Sequence, residues 1–401
     1  MEYDSPPQIG PNTKITEDGE AFLKLATAAP DFEALSFEGI PDRHSGPTVP
    51  IKFYVHETVE CKKGKSTYFI LTPQAEVSYW RVETPVGDDW VNGQDVNAHL
   101  FPTAKDVFLS ITETDGGKFG GTNSNQVSRY RCVSSAGELV PLNNAFTRNG
   151  SITAWKVPLS PVLVNENING TYIDRLVING CMGIDKQLVS STAYTAAVRD
   201  GVYSTTLNRE AQFDFYPVRD VESIASVHFA PYGPPLSGSP GARYRFTGPL
   251  ATFDSNFDTM VYRIDVPQTA ADQQFILKRW VNFEFEPVFN SLLYDTAHGS
   301  PLHDEASLEL YSEIARNLPL AVGYRDNPDF WQTVLGIVDE VSEALSFVPG
   351  PIGGIASGVH AIGSALSKPS KRRPPASRAK SSRKNKNKKK TKRTRRKGGR
   401  R

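Results

Sequence analysis

The stretch M-V-Y-R-I-D-V-P-Q-T-A-A-D-Q-Q-F-I-L-K-R-W-V-N-F-E-F, residues 260–285, decides the fold class. Its two ends, 260–266 and 275–285, are rich in β-branched and aromatic residues, which favour strands. In the first of them apolar and polar residues alternate, as they do in a half-buried strand with one face on a core. The stretch therefore predicts two β-strands joined by a short loop.

Segments of the same kind recur along the chain, from residue 50 to residue 290. Loops rich in Gly, Pro, Asn and Asp separate them, notably at 115–125 and 232–241. The other predicted strands cover residues 52–59, 67–72, 77–83, 107–112, 152–157, 172–178 and 226–230. Roughly eight or more short strands with long loops and no internal repeat are typical of a mainly β chain, folded as an eight-stranded antiparallel jelly-roll β-sandwich.

Two helices are predicted at the borders of this β-rich region. E-A-F-L-K-L-A-T-A-A-P-D-F, residues 20–32, places apolar residues at helical spacing until Pro30 interrupts the pattern. A second helix is predicted over 306–317, with Asp304 as its cap. Residues 1–20 are polar and rich in proline, and we expect a loose arm there.

Charge is segregated along the chain. The 401 residues carry 45 Lys and Arg against 44 Asp and Glu, a formal net charge of +1. Residues 368–401 hold 19 of the basic residues and no acidic one, so residues 1–367 keep 26 basic against 44 acidic residues, a balance of −18. A block of like charge stays solvated and binds polyanions, whereas an acidic body repels them. The asymmetry indicates a shell that holds nucleic acid at a distance rather than a groove that grips it.

Two apolar segments lie between the β-rich region and the basic block. Asn327 suits a helix N-cap and Pro328 the first helical position, so an amphipathic helix is predicted over 329–346, until V-P-G-P at 348–351 breaks it. A second apolar segment follows at 352–366. The main apolar residues of the two segments are Phe330, Trp331, Val334, Leu335, Val338, Val341, Leu345, Ile352, Ile355, Val359 and Ile362. Taken alone, such a stripe packs in a core more often than it binds a membrane.

Two motifs resemble the coat proteins of insect nodaviruses. D-F-W, followed downstream by S-F-V-P-G-P-I-G-G-I-A-S-G-V, resembles their C-terminal membrane-active peptide. A-F-L-K-L-A-T-A-A-P-D-F followed by G-I-P-D is similar to the start of their jelly roll. Those proteins carry their basic arm at the N-terminus, whereas the basic block of this chain is C-terminal. The chain therefore resembles an alphanodavirus or permutotetravirus type of capsid protein rather than a typical nodavirus protein.

The resemblance implies a capsid subunit of a small non-enveloped virus. Such a subunit assembles with copies of itself into an icosahedral shell, for which T=3 is the expected arrangement, and packages single-stranded RNA. The apolar residues of 329–346 and 352–366 would penetrate a host membrane during entry into the cell. The competing hypothesis is a cellular β-sandwich protein that binds RNA through a basic tail of nuclear type.

The resemblance also implies one autocatalytic cleavage, at most a single turnover per chain. The family cleaves after an Asn before the helix, assisted by an Asp near the start of the jelly roll, and the matching residues are Asn327 and Asp31. The Asn side-chain amide attacks its own backbone carbonyl, forms a cyclic imide and expels the nitrogen of the next residue, while a buried carboxyl with a raised pKa moves the protons. The residue after the cleaved bond is Pro328, where the family has a small residue, so the leaving group is a secondary amine.

Other interpretations of these residues stay open at this point. Asn327 has the features of an ordinary helix N-cap, and Asp31 those of a turn or cap carboxylate after Pro30. Asp326 is a weaker third candidate, as a neighbour that perturbs Asn327.

The basic tail is predicted to contact RNA phosphates without reading bases. The alternative is a nuclear or nucleolar localisation signal. The predicted phosphate contacts are Lys371, Arg372, Arg373, Arg378, Lys380, Arg383, Lys384, Lys388, Lys389, Lys390, Lys392, Arg393, Arg395 and Arg396.

The sequence indicates no required cofactor. The seven histidines show no ligand spacing, so no zinc site is predicted. Asp254 and Asp258 could bind calcium between subunits, as coat proteins of this family do, and solvated loop carboxylates are the alternative.

The expected organisation has four parts. Residues 1–47 form an inner arm and the start of the jelly roll, 48–300 the shell domain, 301–367 an internal helical segment and 368–401 a disordered RNA-binding tail. Three widely spaced cysteines, a polar N-terminus and the lack of a bilayer-length apolar run predict a protein that is soluble and intracellular when made. We expect assembly in the host cytoplasm and presence in the virion.

Overall fold

Two mainly antiparallel sheets form the body of the protein, which is seen here in a computed structural model; two strand pairs of the second sheet are parallel. The structure describes residues 15–36, 38–86, 95–104, 126–168, 171–179, 193–209, 212–218, 227–229, 244–247, 252–324, 330–332 and 334–336. The chain separates into two units, Met1–Ser367 and Lys368–Arg401, and every described residue lies in the first.

The strands are numbered in chain order. Those found in the described ranges are β1 (Pro47–Cys61), β2 (Lys65–Leu71), β3 (Val77–Pro85), β4 (Asp95–Leu100), β5 (Val127–Pro141), β6 (Ser151–Val157), β7 (Ser160–Ile168), β8 (Thr171–Asn179), β9 (Tyr194–Ala197), β10 (Val202–Thr206), β11 (Tyr216–Pro217), β12 (Val227–Phe229), β13 (Tyr244–Thr247), β14 (Thr259–Val266), β15 (Gln273–Pro287) and β16 (His298–Gly299).

Eight of these strands form a jelly roll. The first sheet has the order β10-β5-β15-β1-β16, and the second contains the run β2-β14-β6-β9. Counting β1, β2, β5, β6, β9, β10, β14 and β15 as strands one to eight, the sheets read 1-8-3-6 and 2-7-4-5. Successive strands other than four and five thus lie in different sheets, which is the double Greek-key order of a jelly roll. The predicted fold class is confirmed.

Three connections of the jelly roll carry strand pairs of their own. The pairs are β3–β4, β7–β8 and β12–β13, and together they extend the second sheet beyond β2 in the order β7-β8-β12-β13-β4-β3. The predicted long loops therefore contain additional sheet. The predicted strand at 107–112 lies outside the described residues.

The strand at the centre of the first sheet, β5, was not predicted. The predicted segments correspond to β1, β2, β3, β6, β8, β12, β14 and β15, and they include neither the 15-residue β5 nor its neighbour β10. β5 pairs with β15 along most of its length, and it carries buried polar residues that hide the strand pattern.

The β15 strand shows how the core is built. Phe275, Leu277, Val281, Phe283 and Phe285 alternate along it and are fully buried. The position between Leu277 and Val281 on the same face is Arg279.

Arg279 is a fully buried cation held by hydrogen bonds to both sheets. Its guanidinium donates to the Thr72 carbonyl (2.9 Å), the Ser78 carbonyl (3.2 Å), the Ala136 carbonyl (2.8 Å) and the Ser135 hydroxyl (2.8 Å). Burial lowers the pKa of Arg279 to about 10. Since Thr72 and Ser78 belong to the second-sheet side and Ala136 to β5, this side chain links the two sheets.

The helices are α1 (Glu17–Ala28) and α2 (Glu305–Asn317), with 3-10 helices at Ala29–Phe32, Val198–Asp200 and Tyr294–Thr296. The helix predicted over 20–32 is thus α1 followed by a 3-10 turn that accommodates Pro30. It begins three residues earlier than predicted because the Thr16 hydroxyl accepts the Gly19 amide (3.0 Å) as an N-cap.

Asp304 joins the N-termini of the two helices. As predicted it caps α2, its Oδ1 accepting the Ser307 amide (3.1 Å). Its Oδ2 accepts both the amide (2.7 Å) and the hydroxyl (2.8 Å) of Thr16, the cap of α1. One carboxylate therefore fixes α1 against α2, and α1 carries the chain to the candidate site.

Candidate functional site

The site is built around Asp31, in the 3-10 turn that follows α1. The Asp31 side chain is half-buried, and its Oδ2 accepts the backbone amide of Trp331 at 2.6 Å. Next to it the rings of Phe32 and Trp331 pack edge to face, 5.3 Å apart. Two segments 300 residues apart in sequence are thus joined at Asp31.

The segment that Asp31 contacts is helical at 330–332 and 334–336. Phe330, Trp331, Val334 and Leu335 are buried against the body, whereas Gln332 and Gly336 are exposed. The first part of the predicted apolar stripe is therefore an inward-facing packing surface in this structure.

Asp326, Asn327 and Pro328 lie outside the described residues. The amide of Trp331 donates to Asp31, so the Asp31 carboxylate lies at the start of the described helical segment. The N-cap interpretation of Asn327 stays a prediction.

Tyr203 of β10 contacts the chain before and after residues 326–328. Its amide and carbonyl form reciprocal hydrogen bonds of 2.9 Å with the backbone of Val322. Its ring stacks on Phe330, with centroids 4.5 Å apart. Sequence reasoning missed this residue because β10, V-Y-S-T-T, is too short and too polar to be recognised as a core strand.

Burial shapes the ionisation of the groups around the 3-10 helix. Burial, then the nearby Glu33 carboxylate, raises the pKa of Tyr54 to about 12. Burial also raises the pKa of Glu138, against the opposing effect of Lys278 at 3.1 Å. Burial lowers the pKa of Lys52, which Glu33 partly offsets. The three groups packed near Glu33 are thus partly removed from water, which disfavours their charged forms.

A family model described as the Peptidase A6 family matches residues 15–368, which include the whole site. The chain belongs to the Peptidase A6 family.

Individual relatives give the same result. Capsid protein alpha of Black beetle virus is 31% identical over 358 residues, covering 88% of this chain and 85% of that protein. Capsid protein alpha of Flock house virus is 31% identical over 367 residues, covering 87% and 84%, and that of Pariacoto virus 31% over 366 residues, covering 88% and 87%. The chain is therefore a nodavirus-like viral capsid protein, a structural component of the virion, as the sequence motifs predicted.

Solved capsid structures are more distant. T=1 particles derived from infectious bursal virus match 83% of this chain and 98% of theirs, with a TM-score of 0.42 and 9% identity. The VP2 subviral particle of infectious bursal disease virus matches 78% and 98%, with a TM-score of 0.43 and 11% identity.

The predicted calcium ligands have partners inside this capsid subunit. Asp254 is buried, and its carboxylate accepts the amides of Cys132 (3.2 Å) and Asn256 (3.0 Å). Asp258 lies 3.4 Å from Arg209. Asp254 is therefore not a solvated loop carboxylate, whereas the Asp258 side chain is 23% exposed. The described part of the chain contains no group of three or more His, Cys, Asp or Glu side chains able to hold a metal ion. Calcium between subunits stays a prediction.

The remaining predicted site residues are not described. The apolar residues Val338, Val341, Leu345, Ile352, Ile355, Val359 and Ile362, and the whole basic tail, lie outside the described ranges. No helix among the residues that are described is both long and apolar enough to cross a bilayer.

Proposed function

We propose that this capsid protein assembles with copies of itself into an icosahedral T=3 shell around single-stranded RNA, and that each chain cuts itself once between Asn327 and Pro328. Assembly takes place in the host cytoplasm, and the basic tail neutralises RNA phosphates inside the shell. The observation that carries the cleavage proposal is the hydrogen bond from the Trp331 amide to Asp31, because it fixes a carboxyl group four residues along the chain from Asn327.

Asp31 would act as the proton carrier of the reaction. The Asn327 side-chain nitrogen attacks the Asn327 carbonyl carbon, and the bond from that carbon to the Pro328 nitrogen breaks. The attacking amide loses one proton and the departing proline nitrogen gains one, so a carboxyl that accepts and returns a proton balances the step. Water then opens the cyclic imide. The reaction steps as proposed use no metal and no external cofactor.

Mass spectrometry of assembled particles tests the cleavage. We expect a fragment Pro328–Arg401 to accumulate as particles mature, and Asp31→Asn to slow its appearance by about 100-fold or more, the usual contribution of a proton carrier. Asp18→Asn, an exposed carboxylate of α1, is the matched control. Intact chains in matured wild-type particles would refute the proposal, and equal rates for Asp31→Asn and Asp18→Asn would remove Asp31 from it.

Membrane penetration would use the helical segment after its release. Phe330, Trp331, Val334 and Leu335 are packed inward in the subunit, so the segment has to leave its site before these residues can enter a bilayer. Dye leakage from vesicles should therefore follow fragment formation in time. Full leakage from particles whose chains are uncut would contradict this order of events.

Assembly and RNA packaging are tested by electron microscopy and nuclease protection. Regular shells holding nuclease-resistant RNA support the proposal, and stable monomers at both low and high salt would favour the alternative, a cellular RNA-binding protein.

A further inference from the structure

Tyr203 holds one residue on each side of the stretch 325–329. Val322 precedes the stretch and is joined to Tyr203 by two backbone hydrogen bonds of 2.9 Å. Phe330 follows the stretch and stacks on the Tyr203 ring at 4.5 Å, with an interplanar angle of 30°. Tyr203 is 1% exposed, so both contacts are made in the protein interior.

The same part of β10 makes a third close approach. Gly201, with φ +65°, lies against Tyr324, and a Cβ built on Gly201 would come within 3.1 Å of the Tyr324 Cβ and 2.5 Å of the Leu139 carbonyl oxygen. Only glycine suits both this backbone conformation and this spacing. Residues 201–203 therefore form a surface shaped to receive the chain at Val322, Tyr324 and Phe330.

We propose that Tyr203 is a positioning residue for the cleavage, which rests on the function proposed above. Asp31 fixes the chain at Trp331, and Tyr203 fixes it at Val322 and Phe330, so the segment with the cleaved bond is held on both sides. Intramolecular attack requires the reacting atoms to be about 3–3.5 Å apart, and fixed ends reduce the conformations that compete with this arrangement. Tyr203 touches no reacting atom and acts through the position of the backbone.

The test compares variants that keep or remove the ring. Tyr203→Phe and Tyr203→Trp keep an aromatic surface for Phe330, whereas Tyr203→Leu and Tyr203→Ala remove it and leave the backbone bonds to Val322. We expect Leu and Ala to slow fragment formation by about 10- to 100-fold, as small misplacements of reacting groups do, and Phe and Trp to stay within about threefold of wild type. Tyr79→Leu is the matched control. Tyr79, in β3, is also 1% exposed, and its ring stacks on that of His99 in β4, with centroids 4.2 Å apart, rather than on Phe330.

Two further measurements separate positioning from a general loss of stability. The pH profile of the cleavage rate should keep its shape in Tyr203→Leu, since the proton carrier is unchanged. Backbone hydrogen exchange should rise at 330–336 in Tyr203→Leu and stay at the wild-type level there in Tyr79→Leu.

Each result of these measurements either supports or overturns the positioning role of Tyr203. Slow cleavage with an unchanged pH profile and faster exchange at 330–336, restored by Phe or Trp, supports the positioning role. Cleavage of Tyr203→Ala at the wild-type rate overturns that role alone and leaves the proposed function standing. An equal slowing by Tyr79→Leu overturns it in favour of stability. A wild-type chain that never cleaves overturns the cleavage proposal and the positioning role together, with the exchange data showing whether Tyr203 still anchors the segment.

Discussion

Replacing Asp304 by Ala removes one carboxylate from two helix N-termini. Loss of the α2 cap costs about 1 kcal/mol. The Thr16 amide and hydroxyl, at 2.7 and 2.8 Å, lose their shared acceptor, and two such bonds contribute about 1 to 2 kcal/mol together. The negative charge beside two helix N-termini adds about 0.3–1 kcal/mol for each. We therefore expect the free energy of unfolding to fall by about 3–5 kcal/mol.

Urea unfolding of dissociated subunits, followed by tryptophan fluorescence, measures this change. Asp304→Asn keeps one oxygen for the cap of α2 but loses the charge and the acceptor for Thr16, so its cost should be about half as large.

Gly19 offers an internal check. A Cβ on Gly19 would overlap Asp304 Oδ2, so Gly19→Ala should destabilise the wild type and cost much less when Asp304 is already Ala. A strictly additive double variant, or a cost of Asp304→Ala below about 1 kcal/mol, would show that the carboxylate does not join the helices in solution.

Three further predictions use the same unfolding assay or a binding assay. Arg279→Met leaves buried carbonyls of both sheets without their donor and should lower the free energy of unfolding by about 3 kcal/mol or more. In the control Arg199→Met, at a side chain 68% exposed, the free energy of unfolding should stay within about 0.5 kcal/mol of the wild-type value. Equal effects of the two substitutions would refute the account of the buried cation. Burial lowers the pKa of Lys156 from 10.5 to about 8. Between pH 8 and pH 10.5 the unfolded chain therefore binds more protons than the folded chain, so the free energy of unfolding should rise with pH across this range, and Lys156→Met should abolish the rise. An unchanged pH dependence in Lys156→Met would contradict the prediction. Removing residues 368–401 should eliminate most of the salt dependence of RNA binding, because each neutralised phosphate contributes about −0.7 to the logarithmic slope; an equal slope without the tail would place RNA binding on the body.

Sequence pattern predicted those strands whose polar and apolar residues face different surroundings. It failed at β5 because V-S-R-Y-R-C-V-S-S-A-G-E-L-V buries polar side chains among partners from other segments. Arg131 pairs with the buried Glu284 at 2.7 Å, and Glu138 pairs with Lys278 at 3.1 Å, both partners being on β15. A strand whose polar groups are satisfied only across the sheet cannot be distinguished from a loop before its neighbour is known.

In the candidate site, too, some residues were predictable from the sequence and others were not. The resemblance of two short motifs indicated Asp31 and the segment after Asn327, and the contact between Asp31 and Trp331 supports placing them together. The resemblance gave no indication of Tyr203, because its contribution depends on the pairing of β10 with β5 on one side and with Val322 on the other. Residues that act through packing leave no motif of their own.

The packing of the helical segment gives a physical reason why the proposed cleavage would come before the proposed contact with a membrane. Exposing Phe330, Trp331, Val334 and Leu335 costs about 1.5–3 kcal/mol for each side chain, and an intact chain returns them to their site because the tether keeps the local concentration in the millimolar range. The proposed cleavage would leave the contacts unchanged but remove the tether, so the released segment could then move to a bilayer. Phe32→Ala tests this reasoning, since it weakens the site from the body side, at the ring that contacts Trp331, without altering the released peptide. In cleaved particles this variant should speed vesicle leakage, and in the Asp31→Asn background it should have little effect, because the tether persists. An equal increase in both backgrounds would mean that packing alone retains the segment, and that cleavage serves some purpose other than its release.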